Sequence, residues 1–186
     1  MPPKVKVSRE AIVDAALDIL RKSGEPGLNA RTVAAALNCS TQPVFSNFST
    51  MEQLRFAVLE KAYGLYQDYI QKEIHAGKYP EYKASGMAYI RFAREEKQLF
   101  RLLFMRDRST EPHSNHSAED PVMEQLVQNH TGLNSQHARL FHLEMWAFVH
   151  GIATMFVTGF FDPDWELVSQ MLTDAYQGLR KQYEGK

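Results

Sequence analysis

The chain has 186 residues, 44% of them apolar, 23% charged and 11% aromatic, which is enough to bury a core and unlike a disordered polymer. Ten glycines and eight prolines are ordinary usage, and the single cysteine, Cys39, excludes a disulfide framework and zinc sites built on cysteine pairs. A formal net charge of −1 gives no global polyelectrolyte signal, so any nucleic-acid surface must be local.

Residues 1–10 are rich in Pro and Lys with no apolar run behind them, unlike a secretory signal, and a cytoplasmic location is expected. Apolar spacing is helical nearly throughout, with Gly, Pro and Asn at the breaks, so an all-α chain is predicted. Ser8 can cap a first helix that buries Ile12, Ala15, Ala16, Ile19 and Leu20, and Gly24 to Gly27 stops it. Asn29 can cap a short second helix with Val33, Ala34 and Leu37 inward, and Asn38 suits a left-handed stop. Ser40 is expected to cap a third short helix carrying Val44, Phe45 and Phe48. Ser49 with Glu52, and Thr50 with Gln53, form two overlapping capping boxes before a long fourth helix to about Ala76. A helix or pair of helices follows over 82–106, then a polar loop over 107–120. Further helices are expected over 121–129, 135–161 and 164–184. The stretch 145–161 has no Asp, Glu, Lys or Arg, yet it holds His150 and two glycines, and a doubly buried helix is expected there rather than a membrane span.

The second and third helices meet through Asn38-Cys39-Ser40, which is helix-turn-helix spacing. Such a motif needs a small inward residue (Ala34, Ala35 or Ala36), a tight turn, and short hydrogen-bonding side chains at the start of the second helix. Ser40, Thr41, Gln42, Ser46 and Asn47 supply the last. Residues 1–55 carry seven Lys/Arg and five Asp/Glu, a net of +2 that leaves −3 for the remainder. The asymmetry has the sign expected of a nucleic-acid surface, but it is small.

Residues 27–54 resemble the DNA-binding signature of the tetracycline-repressor (TetR) family, on Gly27, Arg31, Val33-Ala34, Ser40, Phe45, Phe48 and Glu52-x-Leu54. The run Trp146-Ala-Phe-Val-His150-Gly151 looks like the Trp…His-Gly signature of one group of effector domains in that family. Asn38 departs from the usual turn glycine, and Met51 stands where many members carry a phosphate-contacting lysine. The resemblance implies a three-helix DNA-binding domain over 1–49 and a helical effector-binding and dimerisation domain over 50–186. It implies a repressor that binds a palindromic operator in double-stranded DNA as a homodimer and is released by a small apolar ligand, with no cofactor. By resemblance and position, Gln42 with Thr41 reads bases, Pro43 offers its ring to a thymine methyl, and Ser46 reaches bases or water. Ser40, Phe45, Asn47 and Thr50 grip phosphates, Arg31 is the charged contact, and Lys4, Lys6 and Arg9 add attraction from the arm.

The helix over 140–161 is apolar on nearly every side, so one face needs a partner beyond its own subunit. A dimer seam is expected from Phe156 and Phe160 together with Val168, Met171, Leu172, Ala175, Tyr176 and Leu179 of the last helix. Phe92, Phe100, Phe104, Met105 and Met123 are candidates to line a ligand pocket. Phe141, Met145, Trp146 and His150 join them, although a core His150 bonded to a backbone carbonyl competes with a ligand role. Two other readings remain: a helical small-molecule-binding or metal-dependent enzyme, and a family-like protein that has lost DNA binding. His113, His116, Glu119 and Asp120 have ligand-like spacing but no apolar frame around them, and there is no phosphate-cradling glycine loop.

Overall fold

The computed structural model describes residues 7–107 and 121–183, so Lys4 and Lys6 of the expected arm and the polar loop's His113, His116, Glu119 and Asp120 lie outside it. Among the described residues every regular element is helical, with no strand. The order is α1 (Arg9–Ser23), a 3-10 turn (Glu25–Gly27), α2 (Ala30–Ala36), α3 (Gln42–Asn47), α4 (Met51–His75), α5 (Glu81–Glu95), α6 (Lys97–Phe104), α7 (Pro121–Thr131), α8 (Ser135–Thr158) and α9 (Trp165–Tyr183).

Local chemistry sets most boundaries. Ser8 Oγ accepts the Ala11 N–H at 3.1 Å to start α1, and Gly24, at φ +67°, ends it. Asn29 and Thr32 close a capping box at α2: Asn29 Oδ1 accepts the Thr32 N–H, and Thr32 Oγ1 accepts the Asn29 N–H. At α4 a single cap forms, with Thr50 Oγ1 accepting the Gln53 N–H while Gln53 Oε1 reaches back to the Ser49 N–H. One expectation needs correction, and one alternative is decided. Helix α8 ends at Thr158 rather than Phe161, because Gly159 turns left-handed and the N–H groups of Gly159 and Phe160 fold back onto Phe156 and Met155 carbonyls. The 82–106 stretch is two helices, broken at Glu96 with neither Gly nor Pro at the joint.

The described residues form two compact units. One is drawn from Met1–Gln67 and Glu96–Arg106, the other from Asp68–Glu95 and Asp107–Lys186. The first therefore runs past residue 49, the boundary expected from sequence, because α6 packs on α1 and the first half of α4 contributes Leu54, Val58 and Ala62 to the same buried set. Its core is Ile12, Ala16 and Leu20 of α1 with Val33, Val44, Phe48, Leu99 and Phe100. In the second unit α5 packs along α8, and α7 and α9 close the remaining sides. Arg91 of α5 lies over the Trp165 ring at 4.4 Å and pairs with the buried Glu73 at 3.2 Å, which fixes the start of α9 against α5.

Candidate nucleic-acid interface and effector unit

Helix α3 is short, and its apolar residues split sharply: Val44 and Phe48 are buried, whereas Phe45 is 50% exposed. Burial on one side leaves Gln42, Phe45 and Ser46 on the other, open to solvent. Asn38 adopts φ +49°, the positive-φ non-glycine among the described residues, and turns the chain between α2 and α3 as its residue type suggested. Ala34 is the small residue that goes inward, while Ala35 and Ala36 face out.

The cap at α3 departs from expectation. Thr41, not Ser40, occupies the cap position, with helix-like φ −70° and ψ −13°, and no side chain caps the helix. Pro43 gives the reason, since it stands where the cap would find its first N–H and has none to offer. Ser40 and Thr41 therefore keep their hydroxyls clear of the helix start. Ser46 and Asn47 do not: Ser46 Oγ donates to the Gln42 carbonyl at 2.9 Å and Asn47 Nδ2 to the Pro43 carbonyl at 2.8 Å. Arg31 and Thr50 are exposed beside them, and Pro43 is half-buried.

Arg9 has a role that residue spacing did not reveal. Its Nη1 donates to the Asn47 carbonyl at 3.2 Å, and its guanidinium lies 4.0 Å from the centre of the Phe48 ring. It thus fastens the end of α3 to the start of α1, in addition to any contact it makes as part of the arm.

In the second unit, two tyrosines two turns apart on α5 meet two histidines two turns apart on α8. The Tyr82 hydroxyl is 3.0 Å from His142 Nδ1, and the Tyr89 hydroxyl is 2.8 Å from His150 Nδ1. The pairs show that α5 and α8 run parallel, and they place His150 on a phenol rather than the backbone carbonyl considered from sequence. Burial holds His150 below the ordinary imidazole value, which favours its neutral form. Burial, with Tyr176 nearby, pushes the Tyr82 hydroxyl up. Trp146 stacks on His150 at 4.9 Å with an interplanar angle of 16°, and its Nε1 is buried without an acceptor.

The predicted pocket residues fall into both units. Phe100, Phe104 and Met105 belong to the first, where Phe104 packs edge-on against Tyr66 at 5.1 Å and Met105 is 42% exposed. Phe92, Met123, Phe141, Met145, Trp146 and His150 belong to the second. Phe92 and Phe141 are fully buried in packing there, against Tyr69 at 5.3 Å and Tyr176 at 5.2 Å.

The predicted seam residues differ in how far their own unit covers them. Phe156, Val168 and Leu172 are buried in their own unit, and Ala175, Tyr176 and Leu179 pack on its core cluster around Phe141 and Tyr183. Met171 is half-buried. The stripe picked out by its period is the inward side of α9, and of the predicted seam only Phe160, 82% exposed, stands clear. The open apolar side lies on α8 instead, at Leu140, Ala147 and Phe148, with nothing near Gly151.

Residues 82–176 match the family described as tetracyclin repressor-like, C-terminal domain. The chain belongs to the TetR family. A solved structure of a TetR-family member from Streptomyces coelicolor A3 superimposes with a TM-score of 0.60 at 20% identity, covering 90% of this chain and 96% of that one. That likeness concerns the fold. No curated protein matches the sequence. The family match covers the α5–α9 region with the two tyrosine–histidine pairs, and membership of the family gives the chain a transcriptional-regulator fold. Among the described residues no group of His, Cys, Asp and Glu is arranged to hold a metal ion.

Proposed function

We propose that the chain is a DNA-binding transcriptional regulator, a repressor that grips a palindromic operator as a homodimer and is controlled by a small, largely apolar ligand. The observation that carries the reading is the start of α3, where Ser40 and Thr41 make no cap bond and Gln42 is exposed, while Val44 and Phe48 anchor the helix beneath. A rigid base with short polar groups above it suits base edges in a major groove, and exposed Arg31 suits a phosphate. Ser46 and Asn47, folded back onto their own helix, serve as secondary contacts that must first exchange a bond.

The open stripe of α8 supports a two-fold seam between copies, with Leu167 of α9 and Phe160 flanking it. Such a dimer spaces two reading helices by about one duplex turn, roughly 34 Å. The Trp146 indole supports a ligand that carries an acceptor, because a buried donor left unpaired costs about 1–3 kcal/mol. Release of the operator by that ligand requires about 5.5 kcal/mol of differential affinity between the two states.

Selection of duplexes from a random-sequence pool, followed by gel shifts between low and moderate salt, tests the reading. A defined, near-palindromic motif bound by a dimer in sedimentation supports it. A monomer that retains no duplex at low salt refutes it.

A further inference from the structure

Helix α3 spends polar side chains on its own backbone. Ser46 Oγ donates to the Gln42 carbonyl at 2.9 Å, and Asn47 Nδ2 donates to the Pro43 carbonyl at 2.8 Å. The Phe45 N–H donates to the Thr41 carbonyl at 3.2 Å, and a phenyl ring has no donor, which leaves Phe45 nothing to offer a phosphate. Its ring is nonetheless 50% exposed, on the side of α3 that carries Gln42. Phe48, three residues on, is the contrasting case: its ring is buried and lies under the Arg9 guanidinium at 4.0 Å. With Val44 and Phe48 holding the helix from within, its outward side sets one bare ring beside one exposed amide.

In the major groove every base pair presents donors or acceptors, and the thymine C5 methyl is the apolar group among them. A phenyl ring laid on any other base edge covers polar atoms without pairing them, which costs binding. Laid on the methyl, it removes apolar surface from water on both partners. We propose that Phe45 is a specificity-determining residue that reads a thymine methyl beside the adenine contacted by Gln42, so that each operator half-site carries two A·T pairs in close succession. This rests on the reading that α3 enters the major groove of a duplex. Side chains three apart on a helix stand about 5–6 Å from each other and base pairs follow at about 3.4 Å, so the thymine falls within about two pairs of that adenine. Loss of one buried methyl weakens binding about fourfold, and loss from both half-sites about fifteenfold.

The test uses the full chain, a duplex selected by the wild-type protein from a random pool, and copies of it in which deoxyuridine replaces one symmetric pair of thymines at a time. Uracil pairs as thymine does and lacks only the methyl, so gel shifts compare duplexes that differ in nothing else. The wild type is expected to lose about fifteenfold at one thymine position of the half-site. Phe45→Ala is expected to bind the thymine and uracil duplexes within about twofold of each other, closing a double-mutant cycle between ring and methyl. Should Phe45→Ala lose its helical spectrum, Phe45→Gln, which keeps the reach and a good helix former, carries the comparison. A selected half-site without thymine, or a wild type indifferent to uracil at every position, overturns the proposal while leaving DNA binding intact. Uracil sensitivity that survives in the Phe45 variants and disappears in Pro43→Ala overturns the assignment to Phe45. A wild type that binds no duplex overturns the functional reading and the proposal together.

Discussion

Replacing Gln42 by Ala separates direct base reading from general attraction to DNA. Gln42 is exposed on a helix whose fixed points are Val44 and Phe48, so truncation leaves the core untouched and a stability change within about 0.5 kcal/mol is expected. A bidentate amide–adenine pair contributes about 1–3 kcal/mol per reading helix, so two helices on a palindrome lose about 2–6 kcal/mol, or roughly 30-fold to 10⁴-fold in affinity. Ser46→Ala is the internal control: its hydroxyl already donates to the Gln42 carbonyl, so a loss of only about threefold is expected. The assay is a gel shift against the selected duplex and against a scrambled one, repeated across salt. Gln42→Ala should weaken the selected duplex alone and leave the salt slope unchanged, while Arg31→Ala should weaken both and flatten the slope by about 0.9 per lost phosphate contact. Equal loss on both duplexes, or a Ser46→Ala variant as damaged as Gln42→Ala, would refute the assignment of base reading to the start of α3.

Further variants test the packing. Gly64 is exposed inside α4, and an alanine methyl there would meet nothing within 4 Å, so Gly64→Ala should stabilise by about 1 kcal/mol in chemical denaturation. Gly86→Ala gains the same helical preference but places a methyl 3.2 Å from Leu172 Cδ2 and 3.5 Å from Val149 Cγ2, both buried, so it should fall at or below wild type; equal effects at the two sites would contradict the packing. Asn38→Ala should cost about 1 kcal/mol at φ +49° while Asn38→Gly should not, as measured by urea midpoints. His150 is held below its ordinary value of 6.5, so the unfolded chain takes up that proton first. Stability should be full above about pH 6.5 and decline as the pH drops through the folded value, and His150→Gln should flatten that decline in thermal melts.

Where local chemistry decided the outcome, the sequence disclosed it. Ser8, Asn29, Thr50 and Asn38 act within a few residues of their own position, and each does in the structure what its side chain suits it to do. Pro43 is equally local, yet its effect differs from the expected one, because removing a donor weakens the reason for a cap rather than relocating it. The hidden features depend on partners distant along the chain. Nothing near Glu96 marks a helix break, and the side chain that grips its carboxylate, Arg21, stands on another helix. Periodicity locates the apolar stripe of α9 but does not tell a stripe that meets its own subunit from one that meets a second copy, for both bury the same kinds of side chain. The spacing of Tyr82 with Tyr89 and of His142 with His150 is visible as two turns each, but only the parallel packing of α5 on α8 makes pairs of them.

Helix α8 shows why overall apolarity is a poor guide to its surroundings. Ser135–Thr158 is long and apolar enough to cross a membrane by length and composition, and less than half of its most apolar window is buried. Yet its polar groups are held from one side by the protein: His142 and His150 by the α5 tyrosines, and Glu144 by the Tyr183 hydroxyl at 3.2 Å. The uncovered apolar residues form a narrow band through Leu140, Ala147, Phe148 and Gly151 rather than a full circumference. A lipid contact needs apolar surface around the whole exposed arc, whereas a band with a glycine in it lets another helix backbone approach closely. The same residues that make α8 look like a span on composition therefore divide, once α5 and α9 are in place, into a polar-tipped inner side and a slender outer apolar band.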